Sequence, residues 1–541
     1  MDNKRVLLAF VLSFAVLIAF RVAFPPATEQ PAAPPAAATP AVATPQAVTP
    51  PAKAAKLPEV PGSPELHAER AESTVIENDL YKATVYSEGG VLQSFQLKTY
   101  PDASGHPPLE LINGGSAKAV GWPLAIATGD SKLDSLLSHG NYVVRSEVNK
   151  LTMDFASEGV QVRKIIEFDS DNYQFTLSTA VARNGQPVPH QVVWQAGFGD
   201  QSIPDDPKKK NAVYDANAKF SRVVLSGIKE PQNITASLVG AEDQYFMTMF
   251  QLPTPGAAKI QETEFNAADG TGSRALHLEV PGGGTLRVYV GPKEKDKLLK
   301  ADPRLVEILD YGWFGFISKP VILPVLNWIH KHVGNYGWAI VLITVLVNLV
   351  LFPLRLKSQI SMQKMQKIQP QINTLQDKYK KLKSNDPRRA EIQAEIMKLY
   401  QEHGSPLGGC LPLLLQMPVM LAFYKMLSVA IELRQAPWIL WIHDLSRPDP
   451  YYIIPILMAV AMVIGQKMTP TSVDPAQAKM MMIMPILMTA FFLWVQAGLT
   501  LYWLTSNLVG IGQQWFIRKY WAEPAQPPRR RANKNKSLPG D

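Results

Sequence analysis

The chain has a single cysteine in 541 residues, Cys410. This rules out an intramolecular disulfide and a cysteine metal cluster. A phosphate-binding glycine loop, a zinc motif and a catalytic triad signature are also missing. His330 and His332 stand two apart, so on a helix they diverge and make a poor metal pair. No metal, no cofactor and no enzymatic chemistry are therefore expected. The formal charge is +8, which in a basic protein often signals nucleic acid. Here the positive charge flanks apolar runs, so the positive-inside rule explains it first and no specific nucleic-acid partner is expected.

What is present divides the chain into two unlike parts. Residues 25–310 are polar and strand-like, and residues 313–520 are mostly apolar. Nine of the 11 tryptophans lie at or after Trp313, and 14 of the 18 methionines lie between Met362 and Met488. Tryptophans near the ends of apolar runs fit the aromatic belts of a membrane protein.

At the N-terminus, Lys4 and Arg5 precede an apolar run, 6–24, interrupted by Arg21. It is long for a signal core and no small-x-small cleavage site follows, so it reads as an uncleaved transmembrane anchor. Residues 25–64 hold 12 prolines among many alanines and form an extended linker. Period-2 alternation then begins. Tyr173, Phe175, Leu177, Thr179 and Val181 share one face, as do Leu286, Val288 and Val290. Gly89-Gly90, Asn184-Gly185 and Gly282-Gly283-Gly284 supply turns. Residues 65–300 are expected to form one large antiparallel β-sandwich outside the cytoplasm. In 301–336, the stretch 316–333 is apolar but broken by Lys319, Pro320, Pro324 and Lys331. This pattern suits an amphipathic helix lying along the interface.

Five further spans are expected at 338–354, 410–431, 451–467, 480–496 and 499–517, with Ala497 and Gly498 as the tight gap between the last two. Residues 355–403 carry 11 lysines and arginines, 432–450 carry Arg434 and Arg447, and the tail from Arg518 carries seven. The positive-inside rule then places 355–405, both termini and the basic tail 518–541 in the cytoplasm, and 432–450 outside. Within 355–405, Met362, Met365, Ile368, Ile372, Leu375, Tyr379 and Leu382 form one helical stripe kinked at Pro370. Ile392, Ile396 and Leu399 form a second. Ser384-Asn385-Asp386-Pro387 turns between them, with Asp386 as N-cap. The expected result is a basic helical hairpin. The fold class is a multi-pass α-helical membrane protein with six spans, a periplasmic β-sandwich and this hairpin.

Several segments carry a specific likeness. PLGGCLPLLLQMP (406–418), ELRQAPWILWIHDLSRPDPYYIIPILM (432–458), KMTPTSVDP (467–475), GLTLYWLTSNL (498–508) and YVGPK (289–293) are each similar to segments of one family. The chain resembles the YidC/Oxa/Alb family of membrane protein insertases, in its large six-span Gram-negative form. The resemblance implies an inner-membrane insertase and chaperone with a five-helix core and a hydrophilic groove open to cytoplasm and lipid. It implies nascent membrane proteins as partners, and work alone or beside the Sec translocon. One departure stands out. The family's groove typically carries an arginine in the second span, and the matching residue here is Asn348.

Polar residues inside the spans are the candidates for such a groove. Thr344, Asn348 and Arg355 are spaced four and seven apart, which puts them on one helical face. In the last span, Tyr502, Ser506 and Gln513 share a face, with Trp503 and Gln514 beside it. Gln416 matches a position of that family that resembles a groove-lining one. Two alternatives stay open: hydroxyls that only bond their own helix, and amides that only join helices. Lys425 sits within its span, where a lysine costs roughly 2.5–3.5 kcal/mol. It either supplies the charge that Asn348 lacks or snorkels outward towards Glu432. Met480, Met481, Met482, Met484 and Met488 are either packing or a soft substrate surface. Ribosome contact through the basic hairpin and tail (RRRANKNK, 529–536) and contact with lipid complete the expected partners. A channel or secondary transporter and a membrane-anchored carbohydrate-active protein remain as rival functions.

Overall fold

A computed structural model describes residues 59–62, 65–202, 210–216, 219–266, 272–383, 386–403, 411–468 and 475–521. The anchor 6–24, most of the linker 25–64, Ser384-Asn385, residues 404–410 with the start of the third-span signature, 469–474 and the tail beyond Trp521 lie outside the described residues. The chain divides into two compact units. One runs through Tyr311 and includes Ser428–Gln435. The other comprises Gly312–Leu427 and the chain from Ala436.

The first unit is a β-sandwich. A four-stranded sheet is built from Ser73–Glu77, Tyr81–Tyr86, Val91–Leu97 and Leu109–Glu110. In the 13-stranded sheet, a spine runs from Lys219–Val224 through Asn211–Ala216, Gln232–Glu242, Phe246–Asn266, Thr285–Pro292, Gln174–Arg183, Val160–Phe168 and Lys150–Ser157 to Val143–Glu147. Neighbouring strands along both are antiparallel. Alternation dictates which face is buried. Phe175, Leu177, Thr179 and Val181 point inward from one strand, and Leu286, Val288 and Val290 from its partner. The 21-residue strand Phe246–Asn266 pairs with Thr285–Pro292 along its first part and Gly272–Pro281 along its second. Between them lie Pro253 and Pro255, which cannot donate to a ladder, and the register with Gln232–Glu242 slips there, between Ala236 and Leu238. Asn184 and Gly185 both take positive φ, 52° and 79°, as a two-residue hairpin turn requires.

One buried cation holds this unit's turns. Lys164 is wholly buried, and its Nζ donates to the carbonyls of Gly89, Gly90 and Leu124, each at 2.9 Å. Gly89 and Gly90 adopt φ of 72° and 57°, so the turn that sequence marks as glycine-rich is also pinned by an ammonium from another strand.

The second unit is helical. Gly315–Ile317 leads through a π-turn, Ser318–Ile322, into the helix Leu323–Val333. The widened turn contains Pro320, which has no N–H for an α-helical bond. Leu323, Leu326 and Ile329 are buried, while Trp313, Phe316, Val321 and Trp328 are exposed, so the segment is two-faced as expected. Apolar helices follow at Tyr336–Val350, Leu411–Val429, Ile453–Met468, Pro475–Phe492 and Ala497–Trp521. Among the described residues, no single helix is long and apolar enough to cross a membrane. The bent pair Tyr336–Val350 and Phe352–Ser361 meets the requirement together.

Several boundaries differ from the sequence expectations; the span expected at 480–496 is a helix over Pro475–Phe492, and three others differ for a plain local reason. The helix expected over 338–354 stops at Val350, and the chain bends by 55° before Phe352. Pro353 lacks an N–H, and its ring clashes with the carbonyl of Leu349 if the helix continues. The hairpin's first helix therefore begins at Phe352, not 355, and runs through Pro370 to Lys381. Ala497 and Gly498 are not the gap between the last two helices. They begin the last helix, and their N–H groups donate to Arg447 and Leu445 carbonyls at 2.7 and 2.9 Å. The hairpin itself closes as expected. Ile368 and Ile372 pack against Leu399 and Tyr400, and Asp386 accepts from the Arg388 N–H at 3.0 Å.

Below about pH 7, where Lys164 is an ammonium, replacing it by Met removes three charge-assisted hydrogen bonds and is expected to cost about 3 kcal/mol. Thermal unfolding of the β unit in the full-length protein checks this; an unchanged midpoint refutes it. Burial also pushes the Lys164 ammonium down to about 7 from its ordinary value of 10.5. Between those values the unfolded chain binds more protons than the folded one, so this lysine makes the unit more stable as pH rises from about 7 to 10.5. Comparing the two proteins across that range isolates the term, because Lys164→Met loses it.

Candidate functional site

The bend at Leu351 sets the geometry of the polar residues. Thr344 donates to Ile340 O at 2.6 Å, and Asn348 Nδ2 donates to Thr344 O at 2.7 Å. Each side chain thus bonds the carbonyl one turn earlier in its own helix. Thr344 and Asn348 are both buried, Asn348 to 1% exposure. With the helix broken just beyond it, the Asn348 carbonyl turns to a neighbour instead. Gln513 Nε2 of the last helix donates to it at 3.0 Å.

Arg355 lies in the first turn after the bend. Its Nη1 donates to Gln513 Oε1 at 3.1 Å and its Nη2 to Gln416 Oε1 at 2.7 Å. Gln416 in turn donates through Nε2 to Tyr502 Oη at 2.6 Å and to Ser506 Oγ at 3.2 Å. Ser506 Oγ donates to Asn348 Oδ1 at 3.4 Å, which closes the ring of contacts. Phe423 lies one face-repeat after Gln416 and stacks on the Tyr502 ring at 4.3 Å and 19°. Three helices and the start of the hairpin therefore converge on one network.

Two properties govern what the network can do. The acceptors of Arg355 are neutral amide oxygens, and no carboxylate pairs with it among the described residues. A guanidinium carries five N–H donors, so charge and donors remain for a ligand. Exposure is also graded. Thr344, Asn348, Tyr502 and Ser506 are buried, whereas Arg355, Gln416 and Gln513 are half-buried. The network is closed at its Thr344 end and reachable at its Arg355 end.

The structure thus brings together Thr344, Asn348, Arg355, Gln416, Tyr502, Ser506 and Gln513. It leaves two candidates outside. Trp503 packs on Phe492 at 5.5 Å. Lys425 is exposed, and its stem runs along Gly312. A helical wheel shows why: Lys425 is nine residues, about 900°, from Gln416 and faces the opposite side. Sequence reasoning missed Phe423, although its spacing of seven from Gln416 was the available signal. Met484 is exposed and Met488 half-buried, and neither side chain belongs to the network.

Comparison with known proteins adds the following. Residues 328–524 match the family described as "60Kd inner membrane protein", and residues 73–323 match "YidC periplasmic domain". The "Membrane protein insertase YidC" of Geotalea daltonii is 34% identical over 549 residues, covering 96% of this chain and 99% of that protein. The protein of the same name from Campylobacter jejuni is 32% identical over 546 residues, covering 96% and 97%. A crystal structure of an active YidC insertase with its first transmembrane domain resolved is 19% identical, covers 85% of this chain and 94% of that one, and has a TM-score of 0.36.

A double-mutant cycle tests the central contact. Arg355→Met and Gln416→Met are expected to couple by about 1 kcal/mol in denaturant unfolding in detergent micelles. A coupling indistinguishable from zero would show that the two side chains do not support one another.

Proposed function

The chain belongs to the YidC family of membrane protein insertases, and from that premise we propose that its Arg355 network receives the polar flank of a membrane segment during insertion. The chain is an inner-membrane insertase with a periplasmic domain, acts on nascent membrane proteins and is not an enzyme. In the proposed topology, the anchor 6–24 and the five apolar helices make six spans. Both termini and the hairpin face the cytoplasm, and 432–450 faces the periplasm. The count of basic residues supports that orientation.

Without a nucleotide site, the substrate supplies the driving force. About 20 apolar residues entering lipid release on the order of 6–12 kcal/mol. The obstacle is kinetic, since a polar flank must first cross hydrocarbon. The network lowers that barrier in two ways. Its Arg355 end offers a cation whose present partners are neutral amides, which a carboxylate or a peptide carbonyl can displace at little cost. The helix Tyr336–Val350 is also only 15 residues long, about 22 Å of rise against a hydrocarbon core of about 30 Å. A polar flank therefore meets hydrogen-bonding groups before it has crossed the full thickness. The membrane potential adds about 2.3 kcal/mol per charge per 100 mV for a charge moved across. The substrate's apolar part then leaves sideways into lipid along Leu411–Val429 and Ala497–Trp521, where Met417, Tyr424, Leu508 and Trp515 are exposed. The hairpin presents the segment from the cytoplasm, alone or beside the Sec translocon. The observation that carries this reading is a half-buried arginine held, among the described residues, by neutral partners, at the accessible end of an otherwise closed polar network.

Depletion of the protein in cells, with complementation by variants and protease mapping of newly made membrane proteins, tests it. Arg355→Ala is expected to slow insertion of acidic-flanked substrates roughly tenfold, about 1.4 kcal/mol of lost stabilisation. Arg355→Lys keeps part of the activity. Lys357→Gln, which removes a neighbouring exposed charge, keeps nearly all of it. Wild-type insertion by Arg355→Ala would discard the proposal.

A further inference from the structure

Lys425 stands apart from the polar network, yet it is a charged residue on a membrane helix. It lies four residues before the end of Leu411–Val429, on the exposed side next to Tyr424. Its aliphatic stem is seated rather than loose. A Cβ placed on Gly312 would lie 3.1 Å from Lys425 Cγ and 3.4 Å from both Cδ and Cε. Gly312 has φ +65°, so both the backbone conformation and the space favour glycine there. The stem therefore runs across the glycine that opens the two-faced segment. Trp313 follows at 88% exposure and Phe316 at 69%. Within its own unit, and among the described residues, no carboxylate pairs with Lys425.

These features set a depth and a chemistry. Exposed tryptophan and tyrosine mark the level where hydrocarbon meets headgroups. Four residues of helix are about 6 Å, a distance that a snorkelling lysine spans. A strongly hydrated ammonium with no carboxylate paired to it in its own unit among the described residues, on an exposed face beside Tyr424, matches the phosphodiester of a lipid headgroup. We propose that Lys425 binds the phosphate of an anionic phospholipid, with Gly312 guiding its stem and Tyr424 and Trp313 lining the site. The orientation proposed above decides only which leaflet supplies the lipid, and makes it the periplasmic one. The site is distinct from the Arg355 network.

The full-length protein in nanodiscs, with photo-crosslinkable phosphatidylglycerol or phosphatidylcholine, tests this by mass-spectrometric mapping of adducts to 420–429 and 311–317. The wild type is expected to favour phosphatidylglycerol roughly fivefold at these peptides, the contribution of one lysine at an anionic surface. Lys425→Gln abolishes the preference, and Lys425→Arg keeps it. Millimolar inorganic phosphate leaves it unchanged. Retained preference in Lys425→Gln, or its displacement by free phosphate, overturns the proposal. Because crosslinking does not depend on insertion, either outcome leaves the reading of Arg355 untouched.

Discussion

The proline at 353 is the constraint on which the membrane unit depends. A straight helix from Tyr336 would give Arg355 a place on the same face as Asn348, directed by helical phase alone. Pro353 breaks that helix, and three consequences follow together. The carbonyl of Asn348 leaves the helical ladder and becomes an acceptor for Gln513. The chain turns by 55°. Arg355 then starts a new helix whose first turn meets Gln416 and Gln513 from two other helices. A residue that removes one hydrogen bond has thereby organised a network joining four elements. The same break makes Arg355 part of the hairpin's own first helix, Phe352–Lys381.

The β unit uses the opposite strategy. Its regularity comes from alternation, and its few irregularities are pinned by buried charge. Lys164 satisfies three carbonyls of two turns. Glu242, buried and paired with Arg222 and Lys293, is held below the usual carboxylate range by those two cations, which outweigh the cost of burial. Such pairs are weak sources of stability but costly to break, and they add to the register that the buried face of the long strands already specifies. The β unit pairs Glu242 with two cations, whereas in the helical unit no carboxylate among the described residues pairs with Arg355.

Much of this was legible in the sequence because the signals were periodic. Alternation identified the sandwich, including the inward faces of Gln174–Arg183 and Thr285–Pro292. Stripes at three and four identified the hairpin, and Asp386 behaved as a cap. Spacings of four and seven grouped Thr344 with Asn348, and Tyr502 with Ser506 and Gln513. What periodicity could not supply was phase between helices. Nothing along the chain says that Gln416 Nε2 would reach Tyr502 rather than lipid, or that Thr344 would spend its hydroxyl on Ile340. Helix ends were misjudged where a single backbone group decided them: Pro353 in one case, and in the other the Arg447 and Leu445 carbonyls that capture Ala497 and Gly498. Lys425 was ambiguous because burial cost alone does not say in which direction a lysine escapes.

The place of the positive charge can be argued from cost. At Asn348, with 1% exposure, a guanidinium would be shut in among Thr344, Ser506 and the Gln513 contact, where an unpaired buried charge is costly. Asparagine at that depth is satisfied by its own helix and by Ser506, and carries no such penalty. Seven residues later the chain has passed the bend, and Arg355 is only half-buried, so the desolvation cost falls while the amides of Gln416 and Gln513 still orient it. The charge therefore stands at the accessible end of the network and not at its closed end. In the proposed mechanism, a cation placed there would meet an incoming polar flank earlier and bind it in a wetter setting. That weakens each contact and also eases release, and release is what an insertase needs once the apolar segment has entered lipid.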